Sequence, residues 1–531
     1  TRNGAISNFA GAGLNYTATF TPTADGTSTI KVSANEFTDV AGNDNSLSNT
    51  FTWTQDDTAP TMLISATGGG GANVTSGTTT NDAQLNLTFA AIEPTTDFVV
   101  GDITLVGGTL GALSNPSSDN QTYTATFTPT GSPTDGQKTI SVAAGTFSDT
   151  AGNASSLASN TFTWTYDGTD PTMGITATNS SSAVVQSGSR TQDAQLTLTF
   201  TSSESTADFA VGDITATNGA LSNFANPSAD NRTYTATFTP TTDGVATIDV
   251  SANKFTDAPG NNNTAAPQFT WTYDGTAPTM GITSTTSGVA SGSTTNDATI
   301  VLEFLSSEST ASFAVGDINV TNGALSNFAG SGTTYTATFT PTTDGVATID
   351  VSANKFTDAP GNNNTAAPQF TWTYDGTAPT MGITSTTSGV ASGSTTNDAT
   401  IVLEFLSSES TTDFVVGDIT VANGTLTNFA NSGDDENYTA TFAGSAGQVS
   451  SISVAAGKFS DAATNTNSVS NTFTWTYDNV PPTMAISSTT VSHGSTTNDA
   501  TIALRFVSSE ATTNFGVGNI SAEVNSITNF A

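Results

Sequence analysis

Five times in this chain a tryptophan sits in the string "FTWT": Trp53, Trp164, Trp271, Trp372 and Trp475. The spacings are 111, 107, 101 and 103 residues, and nine residues after each tryptophan comes the Met of "PTM" (Met62, Met173, Met280, Met381 and Met484). A period near one hundred exceeds the roughly 20–50 residues of a solenoid unit. It is long enough for each copy to bury a core of its own. Residues 233–310 and 334–411 are identical, as a recent duplication leaves them. The 531 residues are therefore read as beads on a string rather than one core. Partial domains are expected at 1–56 and 479–531, and complete ones at 57–167, 168–274, 275–375 and 376–478.

Within a copy the pattern has period two. Phe269, Trp271 and Tyr273 alternate with Thr, as do Tyr234, Ala236 and Phe238. Alternation puts the large side chains on a core face and Thr, a β-branched strand former, outside. No stretch carries a helical period. In the third complete copy seven strands are expected, A to G, at 280–284, 298–304, 313–321, 324–328, 334–340, 346–353 and 369–374. The fold class is all-β, a tandem array of seven-stranded immunoglobulin-like β-sandwiches.

The run "APTMGITS…ATIVLEF…SSES…FAVGDI…NGALSNF…TYTATFTPTTDG…FTDAPGN…FTWTYD" resembles the bacterial Ig-like domains arrayed in large extracellular adhesins and surface repeat proteins. The resemblance covers essentially the whole chain. It implies a place on the bacterial cell surface and a structural or adhesive role. It also implies Ca²⁺ near domain junctions, because many such arrays are stiffened there by calcium.

Composition narrows the function classes. Nine Lys+Arg against 45 Asp+Glu give a net charge of −36, which repels nucleic acid and anionic membranes and attracts divalent cations. Cysteine is absent, excluding disulfides and thiolate metal sites, and His493 is the one histidine, so no His-based catalytic set can recur in each copy. No apolar run reaches the ~18 residues of a membrane span. The chain is not expected to be an enzyme.

Topology makes a sharper statement. Successive strands of a sandwich run in opposite directions, so the linker entering a domain arrives at the pole that carries its B–C and F–G loops. The F–G loop is "FTDAPGNNN" or a variant, the B–C loop is "SSEST", and the linker is "WTYDGTAPT". The residues brought together are Asp56, Glu93, Asp149 and Asn153; Asp167, Glu204, Asp257 and Asn261; Asp274, Glu308, Asp358 and Asn362; and Asp375, Glu409, Asp461 and Asn465. Such oxygen-rich loops suit Ca²⁺, which takes six to eight oxygen ligands, better than Mg²⁺ with its tighter octahedron. The other reading of the same residues is turn chemistry alone. Asp461 lies in "DAATN", without the glycine, and its set is the weakest.

Asp102, Asp213, Asp317 and Asp418 of "VGDI" lie early in strand C near the same pole; they are expected to satisfy a bulge, the other reading being an added ligand. Asp297 ("TTND") and Asp243 ("TTDG") are expected to form turns at the opposite pole, facing the next domain. The leading functional expectation is a calcium-stiffened extracellular rod or filament whose partners are the neighbouring repeats. The alternative is an adhesive module recognising glycan or a partner protein through its loops. The chain opens on "TRNGAISNFA" without Met and is read as a window on a longer protein. Were its ends true termini, identical chains would join head to tail, with Glu510 and Asp478 of one meeting Asp39 and Asn43 of the next.

Overall fold

The computed structural model describes residues 3–131, 134–206 and 208–522. The chain divides into two compact units, Thr1–Thr276 and Ala277–Ala531. Among the described residues the helical elements are five single-turn 3-10 helices, and the rest is strand and loop.

The copy that opens the second unit shows the plan. Its strands are A (Met280–Ser284), A′ (Thr294–Thr295), B (Ile300–Ser306), C (Ile318–Val320), D (Gly323–Ser331), E (Thr334–Pro341), F (Gly345–Val351) and G (Phe370–Tyr374). One sheet has the order A-B-E-D and the other A′-G-F-C. This is the expected sandwich with one strand more. A′ pairs parallel with G through Thr294–Thr373 and Thr295–Tyr374. The other complete copies repeat the arrangement, and the two in the first unit add a two-residue strand beside A, Asn73–Val74 and Val184–Val185.

Strand C is shorter than the 313–321 expected. Its first half is a 3-10 turn, Val315–Asp317, in which the Asp317 carboxylate accepts the Ala314 N–H at 2.8 Å. The aspartate of "VGDI" thus holds backbone, but in a turn rather than a bulge. A bulge does occur in D, where the register against E shifts between Ser326 and Ala329 and Asn327 takes φ 52°.

Each complete copy encloses its own core, centred on Trp164, Trp271, Trp372 or Trp475. Trp372 is fully buried, with the Phe339 ring set edge-on at 5.9 Å. Its indole N–H, which must find an acceptor once buried, donates to Thr295 Oγ1 at 3.1 Å. That bond explains why a two-residue A′ strand is held against G. Gly323 is dictated by the same ring, because a Cβ there would lie 2.3 Å from Phe339 Cζ.

The partial copy at the start supplies Gly4–Ala12, Asn15–Pro22, Gly26–Ile30 and Phe51–Gln55, the counterparts of D to G. At the other end Met484–Ser488 pairs with Leu504–Ser508 as A with B. The last nine residues of the partial domain expected at 479–531 lie outside the described residues.

Candidate metal centre

The F–G loop closes on its own aspartate. In the second complete copy Asp257 Oδ1 accepts the N–H groups of Gly260 and Asn261, both at 2.7 Å, and Oδ2 accepts Asn261 Nδ2 at 2.9 Å. Gly260 supplies φ +102°, which a side chain adopts poorly. Asp149 with Asn153, Asp358 with Asn362 and Asp461 with Asn465 repeat the motif. At Asp461, where the glycine is missing, Thr464 takes φ 74° and the loop keeps its form.

A second asparagine secures the base of this loop. Asn263 is buried; its Oδ1 accepts from the N–H groups of Lys254 and Phe255 at 2.7 and 3.0 Å, and its Nδ2 donates to the carbonyls of Ser251 and Thr264 at 2.9 and 2.7 Å. All four positions of the amide are used. Sequence reasoning missed it, since nothing in "NNN" separates one Asn from the next.

The other two elements are brought in by backbone. Thr206 of the B–C loop bridges to Asp257. Ser203 and Thr172 exchange bonds, Oγ accepting the Thr172 N–H and the Ser203 N–H donating to Thr172 O, both at 2.9 Å, which ties the entering linker to the B–C loop. In the first unit Asp56, Glu93 and Asp149 each place a carboxylate oxygen within 4.8 Å of the others, as do Asp167, Glu204 and Asp257. In the second unit Asp375, Glu409 and Asp461 do the same. The remaining set divides between the units. Asp274, near the end of the first, is gripped by Arg190 through Nη2 at 2.6 Å and Nε at 2.9 Å. In the second, Thr310 bridges to Asp358, which joins the loops that carry Glu308 and Asp358.

The charge at these clusters is felt by the glutamates. Burial pushes the Glu93 carboxyl above its ordinary range, and Asp56, Asp149 and Asp25 push it further. Glu204 is raised by burial and then by Asp167, Asp257 and Asp135, with Arg232 pulling the other way. Glu409 is raised by burial, then by Asp375, Asp461 and Asp344. Asp167 is raised as well, chiefly by burial. At Asp149 burial works against ionisation, but the bonds from the Asn153 amide and backbone outweigh it and hold the group low.

The four loop asparagines lie beside the aspartates with which they were expected to share a ligand role. Each turns its Nδ2, a donor, to the aspartate carboxylate four residues before it. Asn153, Asn261 and Asn465 also donate to the linker carbonyls of Asp56, Asp167 and Asp375, at 2.9, 3.0 and 2.8 Å. Through Nδ2 this amide positions the carboxylate and the linker.

The E–F aspartates, expected first of all to form turns, reach the linker that follows their own copy. Asp135 Oδ1 accepts the Gly168 N–H at 2.9 Å and Oδ2 accepts the Thr169 hydroxyl. Asp25, Asp243 and Asp344 hold the linkers at Asp57–Thr58, Gly275–Thr276 and Gly376–Thr377 in the same way. The hydroxyl first, and then the N–H, hold all four carboxyls below the usual range. Asp297 does form its turn, accepting from Thr295 Oγ1 at 2.7 Å. Its neighbour Asn296 makes a direct contact with the next copy, donating to Asn465 Oδ1 at 3.0 Å. No helix among the described residues is long and apolar enough to cross a membrane.

No curated protein matches this sequence. Among solved structures it is similar to invasin, a bacterial integrin-binding protein, at 14% identity over 81% of this chain and 80% of that one (TM-score 0.29). It is also similar to InvD of Yersinia pseudotuberculosis, at 18% identity over 60% of this chain and 98% of that one (TM-score 0.27). The I67–I69 fragment of the titin I-band matches at 9% identity over 60% and 99% (TM-score 0.27). The family model described as "Bacterial Ig-like domain" matches residues 1–54, 56–166, 167–273, 274–374 and 375–477. With nearly its whole length matched in five consecutive segments, the chain belongs to the bacterial Ig-like domain family.

Proposed function

We propose that this chain is part of an extracellular structural repeat protein, an adhesin stalk or surface fibre, built as a rod that Ca²⁺ stiffens between domains. The domains would be those bounded at 57–167, 168–274, 275–375 and 376–478. The observation that carries the reading is the approach of a linker, a B–C and an F–G carboxylate to within 4.8 Å, recurring in both units. Three carboxylates so close repel one another unless a cation joins them.

The donor set suits a hard cation. It is made of carboxylate oxygens, with no nitrogen or sulfur ligand. Glu93 Oε1 is buried without a hydrogen-bond partner, as an oxygen reserved for an ion would be. Bound Ca²⁺ would neutralise the cluster. Asp167 would hold it from the linker and Glu204 and Asp257 from the domain, which would add an ionic tie between the two. The strong negative charge keeps such rods apart and soluble.

The test is calorimetric melting and calcium titration of the full chain, with chelator and with Mg²⁺ as controls, beside Asp167→Ala and Glu409→Gln. Saturable calcium binding that raises the melting temperature and is reduced by either substitution supports the reading. Identical melting in calcium and chelator would leave the clusters as turns and remove calcium as the stiffening agent.

A further inference from the structure

The carbonyl of Asp375 and the N–H of Gly376 belong to one peptide group, and the two ends of that group are held by different copies. The carbonyl accepts Asn465 Nδ2 of the following F–G loop at 2.8 Å. The N–H donates to Asp344 Oδ1 of the preceding E–F loop at 2.9 Å, while the Thr377 hydroxyl takes the other oxygen of that carboxylate. Asn465 is engaged on its far side as well, its Oδ1 accepting Asn296 Nδ2 from the preceding A′–B loop at 3.0 Å.

The same clasp recurs in the first unit. Asp167 O accepts Asn261 Nδ2 at 3.0 Å, and Gly168 N–H donates to Asp135 at 2.9 Å. Asp56 O accepts Asn153 Nδ2 at 2.9 Å, and Asp57 N–H donates to Asp25 at 2.7 Å. We propose that each of these linker peptides is a two-sided clasp that fixes one repeat against the next without any ion.

The physical reason is planarity. A peptide group is rigid, so holding its oxygen and its hydrogen from opposite sides fixes the plane and with it the direction in which the chain leaves. The bonds from Gly376 and Thr377 go to an ionised acceptor, which makes them stronger than neutral ones. Each also requires its own partner residue, an aspartate just before strand F and an asparagine four residues after the F–G aspartate. The copy at 376–478 has Ser445-Ala446-Gly447-Gln448 where its predecessors place that aspartate, so the linker after it, at Asn479, cannot form the clasp.

The inference stands apart from the calcium reading and is tested beside it. Hydrogen exchange of the full chain is followed by mass spectrometry with fragmentation to single amides, first in chelator. The expected result is protection at Gly168 and Gly376 and fast exchange at Asn479. Asp344→Ala and Asn465→Ala should each speed Gly376 exchange roughly tenfold or more, as loss of a hydrogen bond to a fixed partner does. Gly168 and the strand amides of Ile300–Ser306 and Ile401–Ser407 should stay unchanged, which shows that the flanking copies remain folded. Thr377→Val, which removes only the hydroxyl, should give a smaller effect in the same direction. Unprotected Gly376 in chelator, or protection that survives Asp344→Ala, overturns the clasp. Protection that appears only on adding calcium also overturns it, and favours the ion. If calcium changes nothing while Gly376 stays protected, the clasp stands and the calcium reading falls.

Discussion

Glu93→Gln separates a cation site from a turn because the two readings give opposite signs. Without an ion, Glu93 faces Asp56 and Asp149 with carboxylate oxygens within 4.8 Å. At that distance one pair of unit charges repels by about 1 kcal/mol in water and about 3.5 kcal/mol at an effective dielectric near 20. Glu93 is partly exposed, so the water limit is the better guide. Neutralising it should then relieve about 1–2 kcal/mol from the two pairs together, a factor of roughly 5–30 in the opening equilibrium. The Gln amide keeps the shape and can donate to either aspartate. The assay is hydrogen exchange of strands Leu85–Ala91 and Phe162–Tyr166 in the full chain, which reports this copy separately from its neighbours. In chelator the variant should exchange more slowly than wild type. In saturating calcium it should exchange faster, having lost a charged ligand. A variant that destabilises equally in both conditions would refute the reasoning, because Glu93 would then be a structural acceptor and no cation would be balancing the cluster.

Asn263→Ala should lower the stability of its copy by about 1–3 kcal/mol, because it strands the N–H groups of Lys254 and Phe255 that the amide now satisfies; exchange at those two amides would show it first. Thr464→Gly should stabilise the copy at 376–478 by about 1 kcal/mol, relieving a β-branched residue at φ 74°, as read from the melting of the full chain. In chelator the pH optimum of stability should lie on the acid side of neutral. Glu93, Glu204 and Glu409 sit above their ordinary range, so stability falls as pH rises through their folded values, whereas Asp25, Asp135, Asp243 and Asp344 sit below theirs and lose their contribution only as pH falls through them. Calcium, which binds the ionised carboxylates, should move the optimum towards neutrality, and melting curves across pH with and without the ion would measure the shift.

The sandwich was legible because its strands announce themselves in pairs of residues. Phe370, Thr371, Trp372 and Thr373 alternate in the sequence and alternate between core and surface in the fold. The meeting of Asp167, Glu204 and Asp257 was legible from strand parity alone, since alternating direction decides which loops share a pole. Strand A′ was not. Thr294 and Thr295 carry no pattern, and what places them is the tertiary demand of a buried indole for an acceptor. The clasp was hidden for a related reason. Asp344 in "TTDG" reads as a turn residue, and only the path of strand G brings its carboxylate to Gly376.

The loop asparagines show where residue type stops being informative. An amide offers an oxygen to a cation and a nitrogen to a carboxylate, and sequence cannot say which end faces the aspartate. The structure turns Nδ2 inward at Asn261, and this reconciles the two readings of "FTDAPGNNN". Asp257 accepts three hydrogen bonds, from Gly260, from the Asn261 backbone and from the Asn261 amide. A carboxylate has room for about four. The turn therefore uses most of the group and fixes its direction, leaving about one acceptor position free for the cluster it shares with Glu204 and Asp167. A ligand already held in place would lose little freedom when an ion arrived, so the turn chemistry would favour the binding it was set against.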